Sequence, residues 1–230
     1  MDISPFYEKK IECLHCKLKF NTLKVRSKSV KVSGSDTDFM PIYGENDINA
    51  LYYNVFVCEH CGFSFTDDFS SYLAPHTKEA IYNKLSSKWV PHKFDGERDV
   101  YSALQTYKLA LYCAEIKDEK TIIIAGLLLR ITWLYRSLGN TSQEMRFMKL
   151  ALARYQESYS KEDYVDTQMS DMRVLYMIGE LARRLEDYQT ATRFFSKIFE
   201  YKADQSEAKL LEMAKDQWEL VREARQALRG

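Results

Sequence analysis

The 230-residue chain is poor in residues that break structure, with only 8 Gly and 4 Pro. That scarcity, beside 46% hydrophobic and 13% aromatic residues, excludes a collagenous, linker-like or disordered chain. Net charge is also missing: 33 basic residues meet 33 acidic ones, so no overall field draws the chain to nucleic acid or an anionic membrane. The longest apolar run, TIIIAGLLL (121–129), falls well short of the roughly 20 residues that span a bilayer. The N-terminal MDISPFYEKKIEC has no apolar core of a secretory signal, so a soluble cytoplasmic protein without a membrane partner is expected. Catalytic signatures are absent: there is no GxGxxG, P-loop, GxSxG or HExxH, and the 4 His lie in distant segments. A non-catalytic protein is the expectation.

What is present begins with cysteine. CLHC (13–16) is answered by CEHCGF (58–63), and the fifth cysteine, Cys113, stands alone. Cys-x-x-Cys brings two sulfurs onto one edge of a tetrahedron, and two such knuckles complete a four-sulfur shell. Cys13, Cys16, Cys58 and Cys61 therefore form a candidate structural Zn2+ site, with Gly62 suited to the positive φ of the turn. The 41 residues between the pairs exceed the spacing of a compact ribbon, so an extra hairpin is inserted. Alternatives are a redox dithiol, a pair of disulfides in an oxidising compartment, or ligation by His15 or His60, which we expect to face solvent. A four-thiolate site has no open coordination position and contributes folding energy rather than chemistry. Cys113, among Leu109, Ala110 and Tyr112, reads as a core thiol.

Two periodicities divide the chain. Residues 1–70 look strand-like and form a small zinc-ribbon-like β domain. TLKVRSKSVKV (22–32) alternates with a slip at Ser27–Ser29, SGSDTD (33–38) is turn chemistry, and ALYYNVFVC (50–58) has strand composition. Residues 71–230 are helical: Pro75 opens one helix, and six more occupy 98–116, 120–138, 142–159, 167–185, 188–202 and 205–228. The fold class is mostly α with a small β domain. Short connections make successive helices antiparallel neighbours.

Within the helices, LYMIGELARRLEDYQTATRFFSKIFEYKAD (175–204) resembles a tetratricopeptide repeat. Leu175, Ile178, Gly179 and Ala182 fit its first helix; Tyr188, Ala191, Phe195 and Ile198 fit its second. Residues 128–155 match less well, with Thr132 and Glu144 at small-residue positions. With CLHC, VRSKSVKV (25–32), DTDF (36–39), YYNVFVCEHCGF (52–63), YKLALYCAE (107–115), LLRITWLYRSLGN (128–140) and YMIGELARRLEDY (176–188), nearly the whole chain resembles a family of uncharacterised bacterial proteins, mainly Gram-positive. That family pairs a cysteine-rich N-terminal region with tetratricopeptide-like helices. Lys17, where glycine usually follows the first knuckle, departs from its pattern. The resemblance implies an architecture and no activity.

Carried over from the repeat, the concave groove receives Leu129, Trp133 and Arg136 from one unit and Arg173, Tyr176, Glu180, Arg183 and Arg184 from the next. Such a surface suits an acidic peptide or carboxylate. These residues could instead pair with neighbouring helices, or the N-terminal domain could fill the groove. An adaptor or regulator binding a protein or peptide there is the leading expectation. The alternative is a nucleic-acid- or ribosome-associated factor using Lys24, Arg26, Lys28 and Lys31, with Asp36 and Asp38 nearby as turn or binding carboxylates. A thiol redox protein is the weakest.

Overall fold

In the computed structural model, residues 3–45, 47–201 and 207–228 are described. Of the described residues, 55% are helical. Among these residues six short strands, β1 (Phe6–Glu12), β2 (Lys19–Val25), β3 (Gly34–Ser35), β4 (Pro41–Ile42), β5 (Phe56–Val57) and β6 (Ser64–Phe65), form three antiparallel pairs in sequence order. Among the described residues seven α-helices follow: α1 (Pro75–Lys84), α2 (Val100–Lys117), α3 (Thr121–Ser137), α4 (Thr141–Lys161), α5 (Asp171–Arg184), α6 (Tyr188–Phe199) and α7 (Ala208–Ala227).

Two compact units emerge. The first comprises Met1–Ser35, Pro41–Glu119 and Arg130–Glu144; the second comprises Asp36–Met40, Lys120–Leu129 and Met145–Gly230. The partition expected from periodicity, 1–70 and 71–230, is drawn differently. Long-range bonds explain why α2 belongs with the cysteine-bearing strands: the Tyr107 hydroxyl donates to the Leu51 carbonyl (3.1 Å), and the Ser64 N–H donates to the Cys113 thiol (3.2 Å).

In the first unit, β1 and β2 pair from Phe6↔Val25 to Glu12↔Lys19. Phe56, Phe63 and Phe65 pack against one another in a buried cluster, with centroids 5.5 and 5.8 Å apart. The strand expected over 22–32 ends at Val25, and the slip at Ser27–Ser29 is a 3₁₀ turn; Val32 is exposed. The strand expected over 50–58 shrinks to β5, and residues 50–53 form a 3₁₀ turn opened by the Asn49 side chain, which accepts from the Leu51 N–H. The physical reason is Arg98. Its guanidinium donates to the carbonyls of Tyr52 (3.1 Å), Val55 (2.9 Å) and Phe94 (2.8 Å), partners that a neighbouring strand would otherwise supply. Burial lowers the Arg98 pKa to about 10. Helix α2 starts at a capping box between Asp99 and Ser102 and stops where Asp118 turns left-handed (φ 56).

In the second unit, α5 opens on the Ser170 hydroxyl and α6 on the Asp187 carboxylate. Gly179 lets the two helices close: a Cβ there would lie 2.7 Å from the Phe195 ring. Ala182 and Ala191 are fully buried beside that approach. Phe199 meets Trp218 of α7 edge-to-face, 6.0 Å between centroids.

Candidate metal centre

The four paired cysteines converge. Their Sγ atoms all lie within 4.8 Å of one another, with Cys13 3.6 Å from Cys61 and Cys16 3.7 Å from Cys58. A tetrahedron with metal–sulfur bonds of about 2.3 Å has edges of roughly 3.8 Å. The donor set therefore fits a four-coordinate thiolate-binding metal.

Each knuckle is built alike. The Lys17 N–H donates to the Cys13 carbonyl (3.1 Å), and the Cys13 N–H donates to Leu18 (3.0 Å). In the second knuckle the Gly62 N–H donates to Cys58 (2.8 Å), and the Cys58 N–H donates to Phe63 (3.1 Å). Lys17 and Gly62 occupy the same left-handed position, φ 64 and 74. Lysine tolerates it at the first knuckle; at the second, a Cβ on residue 62 would lie 2.4 Å from the Trp89 ring. Trp89 closes over that turn, its indole N–H donating to the Glu59 carbonyl (2.8 Å). Nothing in the sequence flagged Trp89, because its partners lie 30 residues away.

The crowded sulfurs share protons unevenly. Hydrogen bonds from Cys13 and then Cys61 pull Cys58 below the usual thiol range, and the bond to Cys58 holds Cys13 well above it. The downward pull at Cys58 favours the thiolate, the form a metal needs. Neither histidine joins the cluster. His60 is partly exposed, 3.3 Å from the Lys19 carbonyl. His15 does not face solvent as expected: it packs 6.0 Å from Phe63, its Nδ1 is buried without a partner, and burial lowers its pKa. Cys113 is fully buried and pushed up to about 12 by that burial.

The remaining candidate residues fall in separate places. In the first unit, Trp133 is buried, and Arg136 donates to Glu144 (2.6 Å), the residue at a small-residue position of the repeat. Lys24 is half-buried, 4.8 Å from the Phe56 ring centre and 3.7 Å from Asp67. Arg26 donates to the Ser4 carbonyl (3.0 Å) and lies over Tyr7. Lys28 and Lys31 are exposed. The four cations do not form one continuous strand face, since β2 ends at Val25.

In the second unit, Arg173, Tyr176, Glu180, Arg183 and Arg184 share one face of α5, and the segment Asp36–Met40 lies on it. Arg184 donates to Asp36 (2.7 Å), to the Thr37 hydroxyl (2.6 Å) and to Glu180 (2.6 Å). Arg183 grips Glu180 with two bonds of 2.8 Å. The Tyr176 hydroxyl donates to the Thr37 carbonyl (2.8 Å), the Thr37 hydroxyl donates to Glu180 (2.5 Å), and the Arg173 guanidinium sits 4.4 Å from the Phe39 ring centre. Asp38, Tyr176 and Glu180 are completely buried. Asp36 and Asp38 are thus turn carboxylates and ligands of α5 at once. Thr37 and Phe39, to which sequence reasoning gave no role of their own, supply most of these contacts.

No helix among the described residues is long and apolar enough to cross a membrane. No curated protein and no solved structure matches the chain. A family profile described as "Uncharacterized protein conserved in bacteria (DUF2225)" matches residues 6–221, nearly the whole length, with both knuckles and the α5 face inside it. The chain belongs to that family of conserved bacterial proteins.

Proposed function

We propose that this is a non-catalytic adaptor, held in shape by one structural Zn2+ on Cys13, Cys16, Cys58 and Cys61, whose α5 face receives an acidic segment ending in an aromatic residue. The observation that carries it is the seat of Asp36-Thr37-Asp38-Phe39. A carboxylate is held by Arg184, a backbone carbonyl by Tyr176 and an aromatic ring by Arg173. That is the vocabulary of peptide recognition: charge-assisted bonds, one main-chain anchor and a stacked ring. The chain's own segment is the resident ligand, and a partner carrying the same chemistry competes for its place. The Gly179–Phe195 approach and buried Ala182 and Ala191 support a tetratricopeptide-like hairpin as the frame.

The test is a labelled peptide spanning residues 34–41, titrated by fluorescence anisotropy. Asp36→Ala with Asp38→Ala weakens the resident segment, so this variant should bind the peptide more tightly than the unaltered chain does. Adding Arg184→Glu should abolish binding with helicity retained. No binding to the aspartate-free variant would sink the reading. Metal analysis should find one Zn2+ per chain.

A further inference from the structure

A second feature lies in the first unit, independent of the α5 face. An open cleft of about 540 Å³ runs between residues 89–94 and α2. Gln105, Lys108, Leu109 and Tyr112 line it from the helix at spacings that share one face. The opposite face of α2, including Ala103, Tyr107 and Ala110, is fully buried, so the helix is covered on one side and open on the other. Across the cleft stand Trp89, Val90 and Phe94.

This wall is held in place from behind. The Trp89 indole is tied to the Glu59 carbonyl and pressed on Gly62. The Phe94 carbonyl is held by the buried Arg98 guanidinium, and His92 packs edge-on against the Phe94 ring, 4.7 Å between centroids. A preformed apolar cleft of this size matches the usual dimensions of small-molecule sites, roughly 300–1,000 Å³.

The charge at the cleft identifies the ligand class. Among the described residues that line it, Lys108 is the one lysine or arginine, and it is exposed at the cleft's rim. The Lys108 ammonium lies 5.3 Å from the Tyr135 ring centre and has no carboxylate within ion-pair distance among the described residues. We infer that the cleft binds a free amphipathic carboxylate, its acyl or aryl body between Trp89, Phe94 and Leu109 and its carboxylate on Lys108. An apolar body satisfies the walls, and one negative charge satisfies the lysine. The Lys108 side chain is exposed and hydrated without a ligand, so a neutral analogue forgoes the charge-assisted bond rather than stranding a charge.

The probe is decanoate, below its micellar concentration, titrated calorimetrically into the metal-loaded full chain, with 1-decanol as the uncharged arm. Decanoate should bind about tenfold or more tightly than decanol, the worth of one charge-assisted bond. Lys108→Met keeps the stem and should bring decanoate down to the decanol level. Leu109→Trp should fill the cleft and abolish both. Both positions leave the buried face of α2 untouched, and circular dichroism checks that the variants fold. Equal affinity for decanoate and decanol, absence of decanoate binding, or decanoate binding that survives both substitutions would overturn the inference.

Discussion

Replacing Gly62 by alanine should destabilise the second knuckle through two separable effects. At φ 74 an L-residue sits in left-handed space, at a cost of about 1–2 kcal/mol. The new Cβ would also lie 2.4 Å and 2.5 Å from two Trp89 ring atoms, where carbon contacts prefer about 3.5–4 Å. The indole must retreat by about 1 Å, which strains its bond to Glu59 and adds about 1–3 kcal/mol. Alanine's stiffer unfolded chain returns about 0.4–1 kcal/mol. The net expectation is a loss of roughly 2–4 kcal/mol. Lys17 gives the internal control: it has the same φ sign, but it is already a side-chain-bearing residue. Lys17→Gly relieves the left-handed cost and loosens the unfolded chain by a similar amount, so its effect should stay within about 1 kcal/mol. The assay is the urea midpoint with free Zn2+ buffered at one concentration for all variants. Repeating Gly62→Ala in a Trp89→Ala background isolates the ring contact, because only the backbone cost should persist there. If Gly62→Ala costs the same in both backgrounds, Trp89 does not enforce the glycine. If it costs no more than Lys17→Gly, the reasoning about the turn fails altogether.

Chelating the metal should expose the Cys13, Cys16, Cys58 and Cys61 thiols to a thiol reagent within minutes at pH 8, while Cys113 stays unreactive until the chain unfolds. The Cys113 pKa is raised from 9.0 to about 12 by burial, so its neutral thiol contributes stability that is complete below pH 9 and is lost as pH rises through 12. Cys113→Ala should therefore flatten the fall of the urea midpoint over that window. Arg98→Met leaves the carbonyls of Tyr52, Val55 and Phe94 without their donor and should cost about 3 kcal/mol or more, read as a drop in melting temperature.

The helices were legible because their signals are local. Pro75, the Asp99 box and the apolar spacing of 3.6 residues sit within the elements they define, and the boundaries of α2 to α6 fall within a few residues of expectation. The cysteine cluster was legible because knuckle spacing fixes sulfur geometry before any fold is known. Residues 50–58 were not. Their strand composition is real, but a guanidinium more than 40 residues away takes the carbonyls a ladder would have used. β1 escaped notice because FYEKKIE is half charged and half exposed, with no apolar stripe. DTDF reads correctly as a turn, with the Phe39 N–H donating to Asp36 and the Asp36 N–H donating to Met40. Its docking on α5 depends on a bond across 148 residues.

That docking has a charge balance that can be tested against a merely structural role. Three carboxylates, Asp36, Asp38 and Glu180, face three guanidiniums, Arg173, Arg183 and Arg184. Glu180 belongs to α5 and is completely buried, while the other two acids arrive with the segment. Without the segment, α5 would present three cations against one acid, a face built to attract an acidic chain. Asp36 and Glu180 should then differ in salt dependence. Arg184 and Asp36 keep side-chain exposures of 17% and 35%, so salt reaches their pair, whereas the Glu180 side chain is at 0%. Asp36→Asn should cost about 1 kcal/mol or less at low salt, and the cost should fade near 1 M NaCl. Glu180→Gln leaves two guanidiniums without their shared buried carboxylate and should cost about 3–5 kcal/mol, nearly independent of salt. An exchangeable segment requires that difference: a screened outer contact at Asp36 on a salt-insensitive receptor. Equal and salt-independent losses at both positions would mean that Asp36–Met40 is a fixed part of the α5 core and that the face has no vacancy to offer a partner.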